Sequence, residues 1–175
     1  VLKTTITDYP LTFLACNSAR DMLYIFLRTY YDAGFIYDAT TGQVLKSVVT
    51  DGVPRGGGWS PDLDRLYCLP YASGDPGDCG LVSAVDGTRD GVAGVVPLAV
   101  TAEAIALDTA HSRLYFTFGS TGCGVVGVVD CAQNVVTSYS YAGRYPTAPI
   151  YNPKNNRLYW TTWDGVTVYD CSTNA

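Results

Sequence analysis

Apolar positions along the chain come in short alternating runs, with no sustained helical spacing. FIYD ends at Asp38, LVSAVD at Asp86, VVGVVD at Asp130 and VTVYD at Asp170. Runs this short, bounded by Gly, Asp, Asn, Thr and Pro, predict strands joined by tight turns. No apolar run approaches the roughly 18 residues of a membrane helix.

The runs fall in a repeat. Leu-Tyr recurs at Leu23-Tyr24, Leu66-Tyr67, Leu114-Tyr115 and Leu158-Tyr159, with Arg65, Arg113 and Arg157 before three of the four. Each pair is followed by an apolar stretch that closes on Asp. Five or six residues later another β-rich stretch begins, at Val44, Val92 and Val135. The step from that Val to the next Leu is 22, 22 and 23 residues. The fourth copy lacks its last stretch, and the start of the chain supplies it. Residues 1–8 read VLKTTITD, and residues 44–51 read VLKSVVTD. Each unit therefore predicts four strands: A before the Leu-Tyr, B beginning at it, C ending at the Asp and D at the following Val.

Strand A is expected at 11–15, 56–60, 103–107 and 147–151. It is rich in small residues (Gly56, Gly57, Gly58, Ala104, Ala106, Ala148), which suits an innermost strand crowded against an axis. Asp164-Gly165 predicts a two-residue type I′ hairpin between 159–163 and 166–170. A repeat of about 44 residues whose ends complement each other favours a β-propeller over a sandwich or a capped solenoid. The expected fold is all-β: a four-bladed β-propeller of four-stranded antiparallel blades. The blades span about 9–51, 52–99, 100–143, and 144–175 plus 1–8, the N-terminal strand completing the last one.

Residues 152–170, NPKNNRLYWTTWDGVTVYD, resemble an LDL-receptor class B repeat of the YWTD kind, with Thr162 where that motif has Asp. The order Leu-Tyr, Val-x-Val-x-Asp, then Val resembles YVTN surface propellers of bacteria and archaea. Both resemblances imply a surface or extracellular propeller.

Composition changes this picture in three ways. A net charge of −5 with no basic run gives no footprint for nucleic acid. A first residue of Val1, not Met, is expected of a chain that is processed, trimmed or part of something longer. Six Cys, no Cys-x-x-Cys pair and a single histidine, His111, argue against zinc and for disulfides. The competing reading is six buried thiols. Cys79 and Cys123 each lie seven residues before a closing Asp, and their pairing is expected. Cys16, Cys68, Cys131 and Cys171 lie towards the other face and leave three connectivities open, unless they sit too far apart to bridge.

Candidate chemistry gathers in the loops. The B–C and D–A connections share one face, and the B–C lengths vary most. Loops on a rigid scaffold commonly carry binding. The B–C loops offer Tyr30, Tyr31, Asp32, Tyr71, Asp75 and Asp78. The D–A loops offer Asp8, Tyr9, Arg55, Arg144 and Tyr145. Tyr with Asp and Arg on a rim suits a peptide or a sugar. Asp62, Asp64, Asp75 and Asp78 are candidate calcium ligands by density alone; acidic turn residues are the plainer reading. Asp38, Asp86, Asp130 and Asp170 recur at every strand C end, which marks turn formers. Tyr24, Tyr67, Tyr115 and Tyr159 read as packing residues. His111 lies in an A–B turn, where no partner is expected to hold it, so a Ser/His/Asp site is not predicted.

The expected function is a non-catalytic extracellular or cell-surface scaffold that binds a protein or glycan on the B–C/D–A face. Pairing of its terminal strands between copies would build a ring or a fibre. A lectin-like or calcium-binding propeller is the alternative. A propeller hydrolase or lyase with a channel metal ranks below that.

Overall fold

In the computed structural model every Leu-Tyr pair lies at the start of the second strand of an antiparallel sheet. The structure describes residues 10–27, 33–50, 52–70, 80–89, 91–119 and 122–174. The first sheet is β1 (Leu11–Asn17), β2 (Met22–Leu27), β3 (Ala33–Asp38) and β4 (Val44–Val49). The second is β5 (Pro54–Ser60), β6 (Arg65–Pro70), β7 (Leu81–Asp86) and β8 (Gly91–Pro97). The third is β9 (Ala104–Asp108), β10 (Arg113–Gly119), β11 (Gly124–Asp130) and β12 (Val135–Gly143). The fourth has three described strands, β13 (Ile150–Asn152), β14 (Arg157–Thr162) and β15 (Gly165–Asp170). Residues 1–8, expected as its outer strand, lie outside the described residues.

Two details differ from the sequence reading. β13 starts at Ile150 and not at Thr147, since Pro149 has no N–H to give the ladder. The last hairpin turns on Trp163 and Asp164, because Thr162 pairs with Gly165. Neither turn residue has positive φ, so the turn is not type I′, and the unusual backbone falls on Gly165 at φ 147°. Pairing of Arg157 with Asp170 sets this register. The same Arg–Asp pairing recurs at Arg65–Asp86 and Arg113–Asp130.

One turn design repeats in all four sheets. The residue just before strand B is left-handed: Asp21, Asp64, Ser112 and Asn156 have φ between 48° and 52°. Its carbonyl accepts from the residue after the closing Asp, in Ala39 N–H (2.6 Å), Gly87 (2.8 Å), Cys131 (2.9 Å) and Cys171 (3.1 Å). The closing Asp caps its own turn. Asp38 Oδ1 accepts from the Thr40 and Thr41 amides, Asp86 Oδ1 from Thr88 and Arg89, and Asp130 Oδ1 from Ala132 and Gln133.

The innermost strands run side by side, β1 against β5, β5 against β9, and β9 against β13. Between the sheets lie three apolar layers. Tyr24, Phe26 and Ile36 of the first sheet meet Leu66, Cys68 and Val85 of the second. Tyr67, Leu69 and Val82 meet Leu114, Phe116 and Val129. Tyr115, Val126 and Val128 of the third sheet pack with Leu158, Trp160 and Tyr169 of the fourth. Leu66, Leu114 and Leu158 therefore face the preceding sheet, and Tyr24, Tyr67 and Tyr115 the following one. Leu66, Leu114 and Leu158 are fully buried, as are Tyr24, Tyr67 and Tyr115. Leu23 and Tyr159, at the two ends of the series, are only half-buried.

Polar joints cross the same gaps. Tyr67 Oη donates to the Cys131 carbonyl at 2.8 Å, and Arg113 Nη1 donates to the Cys171 carbonyl at 2.9 Å. Between the first two sheets Arg20 takes this role, giving Nη1 to the Gly87 carbonyl at 2.9 Å and Nη2 to Asp64 at 2.6 Å.

Candidate functional site

Among the described residues the β12–β13 connection builds a fixed surface on the B–C/D–A face. Gly143 (φ 88°) and Tyr145 (φ 50°) bend the chain through left-handed backbone, the second at an unusual cost for a non-glycine residue. Buried Pro146 holds the bend: a Cβ on Gly119 or Gly124 would run into its ring. The Thr147 amide donates to the Thr161 carbonyl at 3.0 Å, and the two Thr hydroxyls meet at 2.9 Å. The Trp163 amide donates to the Arg144 carbonyl at 2.9 Å. This clamps the β14–β15 turn to the connection.

The clamp presents an aromatic pair. The rings of Tyr145 and Trp163 are 5.9 Å apart and tilted by 47°. Tyr145 is 47% exposed and Trp163 76% exposed. Exposed Arg144 precedes Tyr145 in sequence, and Tyr141, also exposed, sits near the same end of β12. Large aromatic rings on a fixed backbone give contact area at little conformational cost, the composition of interaction hot spots.

Of the expected binding residues, Arg144 and Tyr145 come together here. Arg55 is half-buried near the start of β5, in another sheet. Tyr30, Tyr31, Asp32, Tyr71, Asp75, Asp78 and the D–A residues Asp8 and Tyr9 lie outside the described residues. Trp163 escaped the sequence reading. A Trp beside the turn dipeptide of a short hairpin, where little can cover it, is the signal that would have found it.

Asp62 and Asp64 sit in the β5–β6 turn, at the opposite end of the sheet from Pro70, where the connection holding Asp75 and Asp78 begins. Asp64 is committed to the inter-sheet joint, accepting from Arg20 at 2.6 Å and from the Thr88 hydroxyl at 3.0 Å. Among the described residues no group of three or more His, Cys, Asp or Glu is placed to hold a metal ion.

His111 corrects one expectation. Its Nδ1 lies 2.7 Å from Oδ2 of fully buried Asp108, so this turn position does hold the ring. The cysteines correct another. Cys16, Cys68, Cys123, Cys131 and Cys171 are free thiols; Cys79 lies outside the described residues. Cys68, Cys131 and Cys171 are buried in the layers between sheets, where they act as small apolar side chains. Burial raises the Cys68 and Cys171 thiols and pushes Cys131 up to about 12, which keeps all three protonated and unreactive at neutral pH. The chief argument for an oxidising compartment, disulfides among these residues, is thereby lost.

No family model matches the chain, and no curated protein sequence matches it. Solved structures do. A hydrazine synthase chain of Kuenenia stuttgartiensis superposes with a TM-score of 0.77 at 19% identity, over 99% of this chain and 50% of that one. The Dos1 propeller gives 0.71 at 12% identity, over 93% and 45%. U3-55K gives 0.76 at 12% identity, over 98% and 52%. The chain thus spans about half the length of these structures. At such identities the likeness carries the fold alone, and that fold is the β-propeller.

Proposed function

We propose that the chain is a non-catalytic scaffold of propeller blades that recognises a protein partner through the Tyr145–Trp163 surface. The observation that carries this reading is an exposed aromatic pair fixed by left-handed backbone, a buried proline and a main-chain clamp. A pre-ordered surface loses little entropy on binding, so its rings can supply affinity directly. An extended peptide segment with apolar side chains and an acidic group would meet the two rings and Arg144.

The proposed binding surface makes no use of the Asp108–His111 dyad. The Asp108–His111 pair lies in the β9–β10 turn, on the face away from the aromatic pair. A glycan-binding reading draws on the same observation, because a sugar ring stacks on Trp as readily as a peptide side chain does. Kinship to YVTN-type surface propellers, and with it an extracellular or cell-surface setting, rests on the repeat motif. The fold reading in its finer form is a four-bladed unit, with residues 1–8 as the outer strand of a fourth blade.

Selection of a displayed peptide library on the native chain, with Trp163→Ala and Tyr145→Ala as counter-targets, tests the proposal. Selected peptides should bind the native chain at least tenfold more tightly than either variant. Peptides that bind all three alike would overturn the assignment of the surface. Binding of a glycan array lost in Trp163→Ala, with no selected peptide, would favour the sugar.

A further inference from the structure

We propose that β12 is a self-complementary edge, which pairs antiparallel with β12 of a second copy of this chain about a two-fold axis. This goes beyond the peptide surface and does not rest on it. The third sheet has four described strands, in the order β12-β11-β10-β9, and packs between the second and fourth sheets. β12 is outermost by the order of its own sheet. Among the described residues no strand pairs with its outer edge.

An outer edge offers a row of main-chain donors and acceptors. Natural sheets guard such rows with charge, proline, bulges or short length. The outer strands β4, β8 and β12 share one guard, a register shift near the closing Asp, at Ile36/Tyr37, Ala84/Val85 and Val128/Val129. Beyond it they differ. β4 continues only over 46–49 and carries Lys46, whose Nζ donates to the Arg89 carbonyl at 2.9 Å. β8 continues over 94–97 and ends on Pro97. β12 continues over 138–143, the longest of the three, and reads SYSYAG, with neither charge nor proline.

That unguarded segment is its own complement, which selects the occupant. With Ser140 facing the partner's Ser140, Tyr139 faces the partner's Tyr141 and Ser138 faces the partner's Ala142. Small residues meet small ones, Tyr meets Tyr, and no like charges oppose. Directly opposed aromatic pairs are a stabilising unit of antiparallel sheets. A slip of one residue would put the two Tyr rows on opposite faces, whereas this register gathers all four rings on one. The rings are available: Tyr141 is 67% exposed and Tyr139 43%. Tyr139 is also fixed beforehand. Its ring meets Phe116 edge-on with centroids 5.8 Å apart, and its hydroxyl accepts from the Ala99 amide at 3.1 Å. Ordering it on association therefore costs little. Pairing of an edge with itself is isologous, so it closes at a dimer and does not grow into a fibre.

Light scattering after size exclusion, over a dilution series of the 175-residue chain, tests this. The mass should climb with concentration to twice 18.8 kDa. Tyr141→Lys, at an exposed position, should stay monomeric while keeping the native β circular dichroism. The double variant Tyr139→Glu/Tyr141→Lys sets opposite charges face to face across the joint and should regain the dimer. Should that variant fail to fold, Ser140→Cys reads the same register. Opposed Cα atoms lie about 4.5–5.5 Å apart, inside the range of a disulfide. Mild oxidation should then give a covalent dimer, while the native chain, with Cys16 and Cys123 exposed, gives none. A native chain still monomeric at about 1 mM, where even a Kd of that size would show, would overturn the proposal. So would a dimer that survives Tyr141→Lys, a folded double variant that stays monomeric, or Ser140→Cys that cross-links no more than the native chain. Trp163→Ala should leave the dimer intact, so loss of peptide binding and loss of assembly are read separately.

Discussion

The hydroxyl of Tyr67 donates to the carbonyl of Cys131 across the gap between the second and third sheets, 2.8 Å from one blade to the next. Tyr67 is fully buried. Tyr67→Phe removes the donor and keeps the ring. The loss should be about 1–2 kcal/mol, read as a lower urea midpoint at constant slope. A change within about 0.3 kcal/mol would mean that Arg65, at 3.4 Å from the same carbonyl, satisfies it alone.

Gly57 lies in the innermost strand of the second sheet, where a Cβ would press on the Tyr67 carbonyl and the Phe13 ring of the first sheet. A backbone oxygen cannot step aside as a side-chain tip can. Gly57→Ala should therefore cost about 3 kcal/mol, near the upper end for overpacking. Gly56→Ala, next to it, faces open space and should cost under about 1 kcal/mol. Thermal melts of the pair check the contrast.

Thiol labelling should divide the cysteines. Cys16 and Cys123 are exposed, and Cys68, Cys131 and Cys171 are buried. Brief maleimide treatment of the native chain, followed by peptide mapping, should mark the first two and spare the other three until denaturant is added. Prompt labelling of Cys68 would contradict its place between the first two sheets.

Stability should fall at both ends of the pH scale. Main-chain amides hold the Asp38 and Asp86 carboxyls below their ordinary 3.8, and the Ser172 hydroxyl and amide do the same for Asp170. A depressed carboxyl stabilises the fold above its unfolded value, and that stability is lost as pH falls below about 4. At the other end, burial raises the Tyr67 and Tyr115 hydroxyls and pushes the Cys131 thiol and the Tyr151 hydroxyl up to about 12. Unfolding lets these groups ionise nearer 9 to 10, so their contribution is complete below about pH 9 and fades towards 12. Urea midpoints at pH 3, 7 and 11, with Asp86→Asn as the acid control, would show whether the two limbs are present.

How much of this was legible follows from what repeats. Strand C ends at Asp38, Asp86, Asp130 and Asp170 as the spacing predicts, because a carboxylate that caps its own turn is needed once per sheet. The Leu and Tyr of the repeat were readable as packing residues. That they face opposite sides, and so leave Leu23 and Tyr159 at the ends, needed the pairing register. Features that occur once were harder. Asp164-Gly165 suggested a turn of its own, yet the Arg157–Asp170 pairing outranked the local preference. An even number of cysteines suggested bridges, but the count says nothing of whether Cys131 and Cys171 point into separate apolar layers. Trp163 belongs to no repeat and was passed over.

The order of the strands also bears on how the molecule comes apart. Among the described residues each sheet is drawn from one unbroken stretch of chain, and the main contacts between sheets join neighbours in sequence. Cooperativity then passes from sheet to sheet by adjacency, as in a short one-dimensional array. Among the described residues the second and third sheets are flanked on both sides, while the first and fourth are flanked on one. Amide exchange should therefore be graded: Tyr67 and Tyr115 exchange last, Leu23 and Tyr159 first.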